Sequence, residues 1–155
     1  MKSESGASRA IHAKFGLDSN CLVALLADWH PRHRATVNGY ERRLAAGQRP
    51  VIACHALLEC FSVLTRLPGP VRVPPQTAGH ALRMAIGDQA AVCGLEPEDC
   101  WGILSDLAGA GRGGGLVYDA AIALACHRAG ARVLLTWDVT HMQAVAPAGL
   151  EVVEP

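Results

Sequence analysis

The sequence has no long apolar run, no net charge and almost no lysine. No stretch approaches the roughly 18 apolar residues that a membrane-spanning helix needs. The polar first ten residues lead into no apolar segment that would indicate a secretory signal. Fourteen basic and fourteen acidic residues cancel, which excludes a general electrostatic attraction to nucleic acid or anionic lipid but leaves a local basic patch open. We therefore expect a cytoplasmic protein with no membrane contact.

Common metal and redox motifs are also missing. The six cysteines include no C-x-x-C pair and the seven histidines no H-E-x-x-H, which excludes a zinc ribbon or a thioredoxin-like motif. Without a secretory signal, and scattered through apolar segments, the cysteines are expected to be reduced and buried small hydrophobes.

What the chain contains is typical of a globular protein. Half of its 155 residues are apolar, 18% are charged and the mean hydropathy is +0.19, so the chain can bury a substantial core. We predict one domain over residues 11–155, preceded by a flexible lead over residues 1–10.

Apolar runs alternate with helical patterns along the chain. Strands are predicted at 11–17, 50–54, 91–95, 132–136 and 150–153, and helices at 21–29, 31–46, 55–67, 76–90, 97–108, 116–129 and 138–146. Four prolines and a glycine predict an irregular loop over 68–75. Continuous apolar strands separated by helices predict a three-layer α/β/α sandwich with a mostly parallel central sheet, whose ligands bind at the carboxyl ends of the strands.

Four carboxylates stand alone in stretches without other charge: Asp18, Glu59, Asp119 and Asp138. An ionised carboxylate in an apolar neighbourhood costs several kcal/mol unless it is paired, protonated or bound to a cation. Asp18 and Asp138 follow predicted strands, Asp119 opens a buried helix, and Glu59 lies one turn into another, so the four can meet in one pocket. Clustered carboxylates repel one another, and oxygen ligands without histidine suit Mg²⁺ or Mn²⁺.

Helix capping is the competing explanation for the three aspartates, because Asp is a favoured N-cap and all three fall near predicted helix starts. Asp88 and Asp106 are isolated too, so isolation alone does not mark a site. Glu59 lies within a helix and caps nothing. No single acid therefore indicates a site, and the evidence for one is the pattern that all four acids form together.

The segments that carry these acids resemble the PIN-domain family, and within it the bacterial VapC-type toxins. The matching segments are Leu17-Asp18-Ser19-Asn20, residues 57–66, Val117-Tyr118-Asp119-Ala120, and residues 134–138 followed by His141-Met142. The likeness extends from about residue 17 to residue 153. Ser19 departs from the family pattern, which usually has Thr after the first acid, and His12 and Lys14 interrupt the first apolar run.

The resemblance implies a PIN-like fold and a metal-dependent ribonuclease that is silenced by a cognate antitoxin protein. It implies that Asp18, Asp119 and Asp138 hold Mg²⁺, or Mn²⁺, with Glu59 acting through a bound water. Asn20 and Thr136 would be supporting polar residues. The expected reaction is hydrolysis of RNA phosphodiesters by a metal-activated water. A homodimer is the family's usual assembly and is our expectation here.

Candidate RNA contacts are basic residues: Arg32, Arg42, Arg43 and Arg112. Arginine exceeds acidic residues over 28–49, which either follows an RNA backbone or forms an ordinary solvated helix face. Arg112 lies in a glycine-rich loop that lacks G-K-[ST], which disfavours ATP or GTP binding. Trp137 can stack on a base, but packing is the favoured interpretation.

Three other functions stay open. A phosphoacceptor receiver domain needs a lysine near its last strand, whereas Lys2 and Lys14 are the only lysines of the chain. A haloacid-dehalogenase-type phosphatase needs Asp-x-Asp, and position 20 is Asn. The third alternative is a non-catalytic PIN-fold module that binds RNA or docks on a protein, which would gain nothing from four clustered acids.

Overall fold

The structure, a computed structural model, describes residues 13–155 and is built around a sheet of five strands. The strands are β1 (Lys14–Leu17), β2 (Arg49–Ala53), β3 (Ala91–Cys93), β4 (Ala131–Leu135) and β5 (Glu151–Val153). They lie in the order β3-β2-β1-β4-β5 and every neighbouring pair is parallel. The predicted parallel sheet is confirmed. Residues 1–12, with the predicted lead and the start of the first predicted strand, lie outside the described residues.

Helices separate all the strands, as predicted. They are α1 (Ser19–Leu26), α2 (His33–Ala45), α3 (Cys54–Arg66), α4 (Pro75–Ile86), α5 (Pro97–Gly109), α6 (Leu116–Arg128) and α7 (Val139–Gln143). Gly47 and Gly130 follow α2 and α6 with φ angles of 76° and 94°, a left-handed conformation that glycine adopts at low cost. The prediction of an irregular loop over 68–75 is wrong in part, because Gly69–Val71 forms a short 3₁₀ turn and Pro75 begins α4.

The three central strands, β1, β2 and β4, are mostly buried because helices cover both faces of the sheet. Phe15, Leu17, Ile52, Leu134 and Leu135 are almost completely buried in one core, which explains their continuous apolar runs. Between Phe15 and Leu17, a Cβ atom on Gly16 would come within 2.8 Å of both Cys126 Sγ and Leu134 Cδ1. A larger residue at position 16 would therefore disturb the packing of β1 against α6 and β4.

The order of the strands creates a topological switch point between β1 and β4. From β1 the chain moves outward through β2 to β3, then crosses to β4 on the other side and continues to β5. Since crossovers between parallel strands are right-handed, helices α1–α4 and α5–α7 cover opposite faces. The crevice at the carboxyl ends of β1 and β4 is where sheets of this kind bind ligands.

The cysteines are free thiols, but they are not uniformly buried. Cys21, Cys60 and Cys126 are buried as predicted. Cys54 and Cys100 are exposed and Cys93 is half-buried. For these three the prediction of burial is wrong, because hydrophobic residue type alone does not show which side of a helix or strand faces solvent.

Among residues 13–155, no helix has the length and apolar character needed to cross a membrane.

Candidate active site

Asp18 is a buried carboxylate at the end of β1, only 4% exposed. Its Oδ2 accepts hydrogen bonds from Thr136 Oγ1 at 2.7 Å and from Asn20 Nδ2 at 2.8 Å. Its Oδ1 accepts one from the backbone N–H of Ser19 at 2.7 Å, so Asp18 also caps α1. The capping interpretation thus holds for Asp18, but capping uses only one of its two oxygens.

Thr136 connects the ends of β1 and β4 through a single hydroxyl group. This hydroxyl donates to Asp18 and accepts from Asn20 Nδ2 at 3.0 Å and from the backbone N–H of Asp138 at 3.0 Å. One donor and two acceptors use the full capacity of a threonine hydroxyl. Asn20 completes the network because its Oδ1 accepts from the backbone N–H of Trp137 at 3.1 Å. The network holds the two strand ends in register next to the carboxylate.

Asp138 lies at the exposed start of α7 and caps it. Its Oδ1 accepts from the backbone N–H of His141 at 3.3 Å, and its Oδ2 lies 2.7 Å from His141 Nδ1. Sequence reasoning cited His141 only as part of the resemblance and missed this contact. Its signal was the spacing, since a residue three positions after an N-cap can reach back to it.

Glu59 and Asp119 reach the same region from helices. Asp119 lies in the first turn of α6, whose N-cap is Gly115, so the capping interpretation fails for this residue. Glu59 lies in the middle of α3 beside the buried Cys60. Neither carboxylate has a hydrogen-bond partner within residues 13–155. The position of each acid along its helix brings it to the edge of the sheet, and no side-chain contact holds it there.

Electrostatic effects act on two of the four carboxylates, Asp119 and Asp18. Burial raises the pKa of Asp119 to about 6, and the charges of Asp18, Asp138 and Glu59 contribute to the rise. Burial also raises the pKa of Asp18, against the opposing effect of the hydrogen bonds from Thr136 and Ser19, and the charge of Glu59 adds to it. The charges of the other three acids therefore act on Asp119, and the charge of Glu59 acts on Asp18. That the four form one site stays a prediction.

The chemistry of the four acids fits a divalent cation held in an open arrangement. All the side chains offer oxygen atoms, which Mg²⁺ and Mn²⁺ prefer. A cation would remove the repulsion that raises the pKa of Asp119. As the side chains of residues 13–155 stand, no group of three or more His, Cys, Asp and Glu could hold a metal ion. Water molecules would have to complete the coordination, as they commonly do for Mg²⁺.

The predicted RNA-contact arginines lie in different places. Arg32 lies beside the site, with its guanidinium 4.4 Å from the centre of the Trp137 ring. Trp137 itself donates from Nε1 to Thr36 Oγ1 at 3.0 Å. Its side chain thus packs against the protein, the interpretation that the sequence analysis favoured. Arg112 donates to the carbonyl of Ala144 at 2.9 Å, at the rim of a cavity of about 340 Å³.

Arg42 and Arg43 are not part of this group. Both lie in the last turn of α2, about 15 Å along the helix from Arg32. Arg43 donates to Gln48 Oε1 at 3.1 Å and lies over the Phe15 ring, near the amino ends of the strands. Cations in the last turn of a helix stabilise its dipole, so these two residues have a structural explanation. Their contact with RNA stays a prediction.

Two curated relatives are similar to most of the chain. It is 34% identical over 135 residues to Ribonuclease VapC40 of Mycobacterium tuberculosis, covering 87% of this chain and 94% of that protein. It is 32% identical over 139 residues to Ribonuclease VapC27 of the same species, covering 88% of this chain and 93% of that protein. No protein-family model matches the chain.

Solved structures share the fold at low identity. VapC20 of Mycobacterium tuberculosis, a toxin that cleaves the Sarcin-Ricin loop, aligns with a TM-score of 0.64 and 18% identity over 91% of this chain and 99% of its own. VapBC2 of Rickettsia felis, solved with a DNA fragment from its promoter, aligns with a TM-score of 0.66 and 14% identity over 92% of this chain and 98% of its own. At these identities the likeness concerns the fold alone, and it confirms the predicted α/β sandwich.

Proposed function

The chain belongs to the VapC family of ribonucleases, and from that premise we propose that Asp18, Glu59, Asp119 and Asp138 form the active site of a toxin that hydrolyses RNA phosphodiester bonds. The observation that carries the assignment is that Asp18 and Asp138 follow the neighbouring strands β1 and β4 at the carboxyl edge of the sheet. Helices α3 and α6 bring Glu59 and Asp119 to the same edge, where burial and the charges of the other three acids raise the pKa of Asp119 to about 6. Carboxylates gathered at a ligand-binding edge of a sheet, with the pKa of Asp119 and Asp18 raised, are typical of a catalytic site.

Mg²⁺ or Mn²⁺ is the cofactor that this donor set favours. The same four carboxylates would hold it. A bound cation would lower the pKa of water and neutralise the negative charge that builds on the phosphate oxygens during the reaction. Thr136 and Asn20 keep Asp18 oriented, since both donate to its Oδ2. Their hydrogen bonds favour the ionised form of Asp18, the form that a cation requires.

Arg32 supplies the positive charge that an RNA backbone needs next to an acidic site. The stacking of its guanidinium on Trp137 limits its motion, and the guanidinium group is suited to phosphate. Arg112 is a second candidate for a phosphate contact. Because the net charge of the chain is zero, RNA affinity has to come from local contacts of this kind.

An antitoxin protein is the proposed partner, and a homodimer the proposed assembly. The solved structures of similar fold include VapBC pairs from Haemophilus influenzae and Salmonella typhimurium. A small DNA-binding protein encoded beside this chain is the candidate to test. Its addition should suppress RNA cleavage in proportion to complex formation, and light scattering of the free chain would give the number of subunits.

Cleavage of labelled total RNA by the purified chain tests the proposed function. We expect discrete fragments with Mg²⁺ or Mn²⁺, and none with a chelator or with Asp119→Asn. Asp88→Asn is the matched control, because Asp88 is an exposed acid beside Arg49 at the amino edge of the sheet. This control should cut like the unaltered protein.

Two results would contradict the proposal. Fragments that persist with the chelator would mean that no divalent cation is needed. Intact RNA under every condition, from a folded chain free of partner, would favour the non-catalytic module.

A further inference from the structure

His55 and Tyr118 form an aromatic pair between two helices. Their rings are 4.6 Å apart between centroids and only 10° from parallel. His55 lies in the first turn of α3 and Tyr118 in the first turn of α6. These helices cover opposite faces of the sheet, so their first turns meet beyond its carboxyl edge.

The pair adjoins the two helix-borne acids. Tyr118 directly precedes Asp119, and His55 lies four residues, or about one helical turn, before Glu59. Residues four apart lie on the same side of a helix. The aromatic pair therefore borders the acidic group on the side of α3 and α6.

Core packing does not explain the exposure of Tyr118. The residue is 51% exposed, although aromatic side chains normally bury most of their area. His55 covers one face of its ring. Neither ring has a hydrogen-bond partner within the part of the chain described. A large aromatic surface is thus left open to solvent next to the candidate active site.

RNA that approaches this site meets four carboxylates. Phosphates are repelled there unless a cation is bound, whereas the π-face of a base is attracted to an aromatic ring and carries no charge. Stacking on aromatic side chains is a common source of affinity for unpaired bases. A stacking surface beside the acids therefore gives affinity that does not depend on attracting the charged phosphates.

We propose that the His55–Tyr118 pair is a stacking surface for an unpaired base of the RNA substrate next to the scissile phosphate. The inference rests on the proposed ribonuclease function, and it adds a substrate-positioning element to the four acids. The base has to be unpaired, because a base inside a duplex has both faces covered by its neighbours.

Steady-state cleavage of an oligonucleotide that spans a site mapped in total RNA tests this proposal. Tyr118→Leu keeps apolar bulk but removes the ring, and we expect its KM to rise about tenfold, with kcat within about twofold. Tyr118→Phe keeps the ring and should behave like the unaltered chain. Trp101→Leu is the matched control, since Trp101 is 72% exposed on α5. Melting curves would confirm that each variant is folded.

An abasic substrate separates base stacking from a purely structural role. Replacing the nucleotide beside the cleaved bond with an abasic ribose should raise the KM of the unaltered chain as much as Tyr118→Leu does. With Tyr118→Leu, the abasic change should have no further effect. Additive effects of the two changes would overturn the proposal.

The remaining outcomes also decide the question. Cleavage by Tyr118→Leu with unchanged KM would overturn the stacking surface while leaving the ribonuclease function intact. Unchanged KM together with weaker inhibition by the antitoxin would assign the pair to a protein contact instead. If the unaltered chain cuts no RNA with Mg²⁺ or Mn²⁺, the proposed function fails, and the stacking surface fails with it.

Discussion

The strand-end acids and the helix-borne acids of the candidate site are held in different ways. Asp18 accepts four hydrogen bonds, Asp138 makes two contacts with His141, and both acids cap helices. Glu59 and Asp119 have no hydrogen-bond partner within residues 13–155 and cap nothing. The strand-end pair is held by local hydrogen bonds, whereas the helix-borne pair owes its position only to α3 and α6.

This difference shows which acids can be explained without function. A capping aspartate that accepts hydrogen bonds from neighbouring groups stabilises its helix. Asp18 and Asp138 would therefore be reasonable residues in a protein with no active site. Glu59 and Asp119 bring negative charge to an already negative region and gain no local contact in return. Residues of this kind are tolerated where the chemistry needs them.

Glu59→Gln should produce the largest effect and the clearest separation of function from stability. Loss of one carboxylate from a cation site should reduce RNA cleavage by about 100-fold or more. The melting temperature should stay almost unchanged, because Gln keeps the shape and no hydrogen bond is lost. Asp18→Asn, measured in parallel, should lose both activity and stability. Equal loss of stability in the two variants would remove the distinction between the pairs.

Thr136→Val should produce the next largest effect, a decrease in the free energy of unfolding that urea unfolding measures. Valine matches the shape of threonine but cannot bind Asp18, Asn20 or the backbone of Asp138. Leaving these buried groups without their partner costs about 1–3 kcal/mol, or roughly 2–4 °C in melting temperature for each kcal/mol. The pKa of Asp18 should also rise, because the Thr136 hydrogen bond lowers it. Thr136→Ser keeps the hydroxyl, and if it were equally unstable the network would not be the cause.

The smallest expected effect is the change in stability caused by Asp119→Asn, the variant that should cut no RNA: a gain that depends on pH. The pKa of Asp119 is about 6 in the folded chain against 3.8 ordinarily, so above pH 6 its ionisation disfavours the folded state. The cost falls as pH drops from about 6 toward 4, because the folded state then binds the proton more readily than the unfolded state. Solvent screening limits the gain to about 1 kcal/mol or less.

Melting temperatures of both proteins between pH 4.5 and 7.5, without divalent cations, would measure this gain. The difference should be largest at pH 7.5 and clearly smaller at pH 4.5, and it falls toward zero only below the ordinary pKa of 3.8. Added Mg²⁺ should raise the melting temperature of the unaltered chain more than that of the variant. A variant less stable than the unaltered chain at pH 7.5 would show that Asp119 has a structural partner.

Much of the fold was predictable because its signals are local. Apolar runs such as 132–136 and glycines such as Gly47 and Gly130 mark strands and helix ends within a few residues of chain. Buried and exposed sides were less predictable, as Cys54 and Cys100 show. The direction in which a short helix faces depends on what packs against it.

The candidate site was predictable in part. The isolation of Glu59 in an apolar helix is visible in the sequence, and so is the position of Asp18 after a strand. The hydrogen bonds from Thr136 to Asp18, over 118 positions of chain, carry no local signal. The stacking of His55 on Tyr118 is hidden for the same reason, since the two residues are far apart in the chain and meet only after folding.

By itself, the sequence determined the alternation of strands and helices and the four charges in otherwise uncharged stretches, because hydrophobic periodicity and the cost of a buried charge act at the level of single residues. Only the tertiary structure decided that β1 and β4 are neighbours, which makes Asp18, Thr136 and Asp138 one hydrogen-bonded group. It also placed Arg32 beside that group and Arg43 at the opposite edge of the sheet. The order of strands depends on which helices can cover which face, and that choice is made by the whole chain.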